Sequence, residues 1–323
     1  AAWAAAAADA PVAAPALRLT ATVHPVACIL EEIGGERVTV HRLLPPGASP
    51  HTFEPRPADV RAAENAAALF YVDDTLDGWA SKMPAARRIA LFALVPAEFR
   101  LTYPYSDGGA APARRVATAP AAAQHHEHEH GPDCDHGPAA EHVHGPDCDH
   151  GHEAGSLDAH FWPDPLAVKA IAPLVARELA RLDPDGADVY ARNATRFAAA
   201  LDALHAEVTE TLAPVRGRAV FLQHPSLLYL LERYGLRYAG SIEMFPGKEP
   251  TPRYLATLME RFRAADGRAI FAEPQLSRRA AEVVARELKV KVGLLDPMGG
   301  TEQTRTYADL IRFNARALAE ALR

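Results

Sequence analysis

Cysteine is scarce in this chain, with only Cys28, Cys134 and Cys148 among 323 residues. So few thiols exclude a dense disulfide framework. An excess of basic charge is also missing. Lys and Arg number 34 against 41 Asp and Glu, a formal net charge of -7, so no positive field exists to release counterions from a phosphate backbone. No nucleic-acid partner is expected, and an anionic membrane surface is disfavoured for the same reason. Beyond the N-terminal stretch there is no apolar run of about 18 residues, which excludes a bilayer-spanning helix in the chain as given.

What is present is a core. A hydrophobic content of 49% over 323 residues allows one large domain or two ordinary ones, and two lobes are expected. Residues 1–16 are almost all Ala and Pro and resemble the tail of a cleaved secretory signal, the alternative being a flexible lead-in without targeting meaning. No cysteine lies near the N-terminus in a position suited to lipid attachment. The expectation is therefore an exported, soluble protein.

From residue 17 onward, short apolar strands alternate with helical stretches, the rhythm of an α/β domain with a parallel sheet. In the first half, strands are predicted over 17–23, 38–44, 67–71 and 89–94, with helices near 27–33 and 56–65. Residues 106–156 shift to Ala, Pro, Gly, Asp and His without apolar periodicity and read as a long loop that buries too little to order itself. Helices follow over 165–182 and 188–212. Phe197, Leu201, Leu204, Val208 and Leu212 give the second a helical spacing, and it is long enough to link the lobes. A second βα series has strands at 219–222, 238–241, 269–271 and 291–295, then a C-terminal helix from about 304. The predicted fold class is α/β, two lobes each with a roughly four-stranded parallel sheet and surrounding helices, joined by a long rigid helix. The divisions are a lead-in over 1–16, a first lobe over 17–185, the linking helix over 186–213 and a second lobe over 214–323.

Four residues stand at strand-to-helix turns, where α/β folds place ligand groups. They are His51, His160, His224 and Asp296. Prolines stiffen the turn around His51, Pro165 opens a helix just after His160, and Pro225 and Pro297 follow His224 and Asp296. Two ligands from each half would close a near-tetrahedral N/O site between lobes, suited to Zn²⁺. The bland alternative is that each is a turn or capping residue, because convergence is invisible in sequence.

Segments 45–59, 158–165, 223–236, 271–275 and 294–300 carry the motif types Pro-His-x-x-Glu-Pro, His-x-Trp-x-Asp-Pro and Leu-Asp-Pro-x-Gly, in order along the chain. Together they resemble the metal-binding receptors of ABC importers, specifically the zinc-uptake branch. The resemblance implies that His51, His160, His224 and Asp296 bind the metal, that Zn²⁺ is transported cargo, and that the partner is an ABC-type permease of the inner membrane. It further implies a monomer and periplasmic zinc metallochaperones as a second class of partner. Manganese receptors of the family tend to carry a carboxylate at the third position, where His224 offers a softer nitrogen, so Mn²⁺ or another divalent ion is the lesser candidate. Two departures stand out. Pro225 bears on the aim of His224, and Pro50 occupies a place where some zinc receptors carry glutamate, leaving Asp296 or water as the fourth ligand.

Nine of the 15 histidines crowd into residues 125–152, as His125, His126, His128 and His130, then His136, His142, His144, His150 and His152. The octapeptide His-Gly-Pro-Asp-Cys-Asp-His-Gly occurs twice, from His130 and from His144, each copy offering imidazoles, carboxylates and a thiol, Cys134 or Cys148. Such a tract can build weak, exchangeable metal sites, and similar acidic His-rich loops occur at this place in the receptor family. The two thiols either ligate metal or pair as a disulfide. Cys28, on an apolar helix start, is expected to be buried and structural.

The function expected is capture of Zn²⁺ between lobes for delivery to a permease, binding and release without chemistry, with the loop as an auxiliary collecting or sensing segment. Two alternatives stay open. One is a zinc hydrolase, for which Glu54 and Glu273 are the carboxylates nearest by motif. The other is a zinc buffer or chaperone acting through the loop.

Overall fold

The computed structural model describes residues 16–103, 105–106, 109–110, 114–115 and 156–323. The lead-in over 1–15 and the His-rich tract, with His125, His126, His128, His130, Cys134, His136, His142, His144, Cys148, His150 and His152, lie outside the described residues.

The first sheet is built from β1 (Leu17–Ala21), β2 (Val38–Arg42), β3 (Ala68–Tyr71) and β4 (Arg88–Ala90), all parallel and in the order β2-β1-β3-β4. Between them run α1 (His24–Gly34), α2 (Pro57–Glu64) and the single turn α3 (Asp74–Asp77). The strand expected over 89–94 is shorter than its apolar run, because the chain turns into a 3₁₀ segment at Phe92–Leu94. Small antiparallel ribbons follow. β5 (Leu101–Thr102) pairs with β8 (Arg114–Arg115) and β9 (Leu157–Asp158), and β6 (Tyr105–Ser106) pairs with β7 (Gly109–Ala110). The segment read as structureless from 106 thus begins with short backbone pairings, which carry no apolar periodicity to announce them.

The second sheet repeats the topology of the first. Its strands β10 (Ala219–Leu222), β11 (Arg237–Ser241), β12 (Ala269–Ala272) and β13 (Lys291–Leu294) are parallel in the order β11-β10-β12-β13. Helices α6 (Leu228–Tyr234), α7 (Pro252–Ala264) and α8 (Arg279–Leu288) connect them, and α9 (Tyr307–Leu322) ends the chain. β3, β10 and β12 are buried at every position, as uninterrupted Ala, Val, Ile, Leu and Phe runs require in a parallel sheet covered on both faces. In each sheet the order reverses beside the first strand, and loops leaving the carboxyl ends there form a crevice.

Two long helices join the halves, α4 (Pro165–Leu182) and α5 (Ala187–Leu212). Asp164 caps α4 by accepting from the Leu166 amide at 2.9 Å, and Pro165 occupies the first turn, where its missing N–H costs nothing. The 26 residues of α5 present Tyr190, Ala194, Phe197, Leu201, Leu204, Val208 and Leu212 as one buried stripe. That stripe packs against α1 and α4 on one side and α9 on the other. The principal apolar cluster accordingly runs unbroken from Leu19 in the first sheet to Leu322 in the last helix.

Polar contacts pin the halves together as well. Arg233 of α6 forks onto Asp164 at 2.6–2.9 Å, with the Asp164 side chain only 1% exposed. Trp162 donates its indole N–H to the Pro297 carbonyl at 2.7 Å, and the Tyr307 hydroxyl donates to the Trp162 carbonyl at 2.6 Å. His24 sits 3.0 Å from the Thr304 carbonyl, and burial lowers its pKa to about 4, so it is neutral at pH 7. It lies against Gly299 and Gly300, whose φ of 72° and 87° and lack of side chain allow the approach; a Cβ on Gly299 would meet the His24 ring at 3.0 Å.

Removing one partner of the buried ion pair leaves an uncompensated charge. Arg233→Ala is expected to lower unfolding free energy by about 3–5 kcal/mol, measured by chemical denaturation. A loss comparable to that of an exposed pair, under about 1 kcal/mol, would contradict the burial argument.

Candidate metal centre

The carboxyl ends of the strands deliver the site. His51 lies in the loop of residues 43–56, after β2; His160 follows β9 and precedes α4; His224 follows β10 and precedes α6. Their ligand nitrogens all lie within 4.8 Å of one another. His160 and His224 are buried, 0% and 2% exposed, while His51 is half-buried and closes the site from the solvent side.

Spacing identifies the kind of ion this group can hold. A tetrahedral Zn²⁺ with Zn–N bonds of about 2.0–2.1 Å places ligand nitrogens about 3.3–3.4 Å apart. His51 Nε2 and His160 Nε2 stand 3.3 Å apart. The three rings have centroids 5.2–5.4 Å apart and mutual tilts of 46–79°, so they converge on a common point rather than stacking. The space they line has a cavity volume of about 10 Å³, the scale of a single ion or water.

Each ligand is aimed by its surroundings. Asp158 Oδ1 lies 2.8 Å from His160 Nδ1 and accepts from the His160 amide at 2.9 Å, which fixes the proton on Nδ1 and leaves the Nε2 lone pair for metal. Asp158 is itself fully buried, and the Tyr103 hydroxyl stands 3.1 Å from the same ring nitrogen. The loop carrying His51 is gripped on both sides. Trp79 donates its indole N–H to the Pro50 carbonyl at 2.9 Å, and its ring meets Phe53 at 5.0 Å. His224 is carried by a turn whose preceding residue, Gln223, donates to the Ser277 carbonyl at 2.7 Å and accepts from the Glu273 amide at 3.0 Å. Pro225 does not turn His224 away from the group.

Asp296 stands apart from the three histidines. Among the described residues the convergent group is His51, His160 and His224 alone. Asp296 Oδ1 accepts from Gln275 Nε2 at 2.8 Å and from the amides of Met298 and Gly299 at 3.1 and 2.9 Å, organising the turn that follows β13. Sequence set Asp296 beside the histidines as the fourth ligand; the structure places its Oδ1 against Gln275 and the turn amides, outside the three-histidine group. Glu54 is exposed, whereas Glu273 lines the cavity beside the histidines. Burial pushes the Glu273 carboxyl up to about 8 despite a 2.6 Å hydrogen bond from the Ser226 hydroxyl, so it is largely uncharged at neutral pH. Trp162 is fully buried 5.4 Å from the His160 ring, covering that ring's far side from water. Cys28 is buried beside His24, and desolvation raises its thiol to about 12, an inert packing role as expected.

Asp158, Tyr103, Trp79 and Gln275 were not legible as site residues from sequence. Asp158 alone left a signal, a carboxylate two residues before a histidine at a strand end, the spacing at which it can bond both the ring and the amide of that histidine.

The model of the family described as "Zinc-uptake complex component A periplasmic" matches residues 19–321. The chain belongs to the ZnuA family. Among curated ZnuA-family relatives, the high-affinity zinc uptake system protein ZnuA of Brucella abortus is 32% identical over 170 residues, 52% of this chain and 51% of that protein. The zinc-binding protein AdcA of Streptococcus pyogenes is 24% identical over 90% of this chain and 52% of its own length. The chain thus spans about half the length of these curated relatives. A crystal structure of ZnuA superposes with a TM-score of 0.71 at 26% identity, covering 95% of this chain and all of that one. A zinc-bound ZnuA deletion mutant gives 0.69, also at 26% identity, covering 95% and 98% of the two chains. The two-lobed α/β architecture with its linking helix is the ZnuA fold.

Losing an outer-shell carboxylate typically costs about 10- to 100-fold in metal affinity. Asp158→Asn is expected to weaken zinc binding within that range, read by competition titration against a chromophoric chelator. Unchanged affinity would show that His160 needs no such orienter.

Proposed function

We propose that this protein captures Zn²⁺ between its two lobes and hands it to an ABC-type permease for high-affinity zinc uptake, working in the periplasm as a receptor without catalysis. The observation that carries the reading is the convergence of His51, His160 and His224, from three loops, within 4.8 Å, with the His51–His160 nitrogen pair at the edge length of a zinc tetrahedron. Three neutral nitrogens suit zinc better than manganese, which prefers harder oxygen. Membership of the ZnuA family supports the same reading, as does the likeness to a ZnuA described with zinc bound. Among the described residues no helix is long and apolar enough to cross a membrane, consistent with a receptor that works beside its permease.

The geometry also weighs against hydrolysis. A zinc hydrolase keeps an open position with room for substrate beside its activated water. Here Glu273, the one carboxyl on the wall of the histidine-lined space that sequence offered as a base, is tied to Ser226 by a 2.6 Å hydrogen bond. A buffer working only through residues 125–152 would not need the three ordered imidazoles. That tract serves as an auxiliary collector in this account, and opening of the site is a modest tilt with movement of the His51 loop, because an unbroken apolar core crosses the lobes. Since only neutral imidazole can ligate, protons compete with zinc as pH falls.

Metal analysis and competition titration of the intact protein, a deletion of residues 125–152 and His51→Ala test the proposal. The deletion is expected to keep one tight zinc equivalent, and His51→Ala to lose affinity beyond the roughly 100-fold that an outer-shell change costs. Disappearance of tight binding in the deletion, or retention of manganese over zinc by the intact protein, would overturn it.

A further inference from the structure

The space between the three histidines has a wall that none of them supplies. It is formed after β12, where Gln275 lines the same cavity as His51, His160 and His224. The Gln275 side chain is held from behind, because its Nε2 donates to Asp296 Oδ1 at 2.8 Å. A carboxylate can only accept, so the NH₂ end of the amide must face Asp296 and the carbonyl end must face away. That carbonyl oxygen, Oε1, is buried and has no hydrogen-bond partner among the described residues. Buried amide oxygens are rarely left in that condition, and one on the wall of a metal cavity points to a group that the cargo brings with it.

We propose that Gln275 is a specificity-determining residue whose Oε1 accepts a hydrogen bond from the water that fills the fourth coordination position of the bound ion. Asp296 is its positioning residue. The inference rests on the reading of the histidine group as the zinc site. Tetrahedral zinc with three protein nitrogens leaves one position for water. A neutral amide oxygen beside that water keeps the coordination free of protein carboxylate, which favours zinc over harder, oxygen-seeking ions such as Mn²⁺. It also gives the aspartate of the Leu-Asp-Pro-x-Gly motif a role without contact to the ion. Asp296 orders the turn through the Met298 and Gly299 amides and, with the same oxygen, locks the rotamer and flip state of Gln275.

The test is a cycle of Gln275→Ala, Asp296→Ala and the double variant on the full chain, with zinc affinity from chelator competition, the visible spectrum of the Co²⁺-loaded protein, and unfolding of the metal-free forms. Gln275→Ala is expected to weaken zinc by about 10- to 100-fold, to shift the Co²⁺ d–d bands, and to leave metal-free unfolding unchanged. The double variant is expected to be no weaker than Gln275→Ala, since both changes remove one interaction. Gln275→Met, similar in size but without the acceptor oxygen, should reproduce the loss and covers the case in which the alanine variant folds poorly. Wild-type affinity and an unchanged Co²⁺ spectrum in Gln275→Ala and Gln275→Met would overturn the inference while leaving the zinc site standing. Losses that multiply in the double variant would overturn it too, since Asp296 would then act on the metal by itself. A wild-type protein without a tight zinc site would instead overturn the parent reading, and this one with it.

Discussion

Three imidazole nitrogens, carried on loops from different parts of the chain, are held within 4.8 Å of one another, and much of the architecture serves that closeness. Without a metal between them, such nitrogens gain little from meeting; their lone pairs repel, and two of the rings are shielded from water. The position must be imposed by the scaffold. Asp158 sets the His160 tautomer, Trp79 grips the His51 loop through Pro50, and the Gln223 amide braces the strand end that carries His224. Gln223 directly follows β10, which is buried at every position, and Asp158 closes the ribbon strand β9.

That dependence explains why the lobes are joined so thoroughly. Two separate sheets with one flexible connection would present the histidines at variable distance, and each ångström of slack would erode affinity. Instead α5 lies along both halves, one apolar cluster crosses between them, and the segment of residues 158–164 is tied to the second half through Trp162, Asp164 and Tyr229. Tyr229 is typical of the arrangement. Its hydroxyl donates to the Asp158 carbonyl and accepts from the Leu101 amide, so a residue of α6 braces the ribbon that positions His160. The half-buried His51 is the ligand nearest solvent.

Much of this was legible in the residues, for identifiable reasons. Parallel strands buried on both faces announce themselves as uninterrupted apolar runs, so both four-stranded sheets and the helix over 187–212 could be read with small errors at their ends. The histidines were legible because they sit in motifs that occur in order along the chain as in the zinc-uptake receptors, while the turns alone left a capping role open. Asp296 reads as a ligand in sequence because a carboxylate that orders a Pro-Met-Gly-Gly turn and one that ligates an ion look alike there; the partners of Oδ1 show its part in the turn. Gln275 and Trp79 left no trace, since their roles come from contacts made across 21 and 29 residues of chain. The two-residue strands near 101–115 were invisible for a simpler reason, having no periodicity to read.

The shell of atoms around the ion decides whether the three histidines hold it. Zinc K-edge absorption of the intact protein loaded with one equivalent measures that shell directly. Three imidazole nitrogens and one light oxygen at about 2.0–2.1 Å, with no sulfur, are predicted. A sulfur shell near about 2.3 Å would place the first equivalent on the cysteine-containing tract, and a shell of five or six oxygens without imidazole would contradict the three-histidine centre outright.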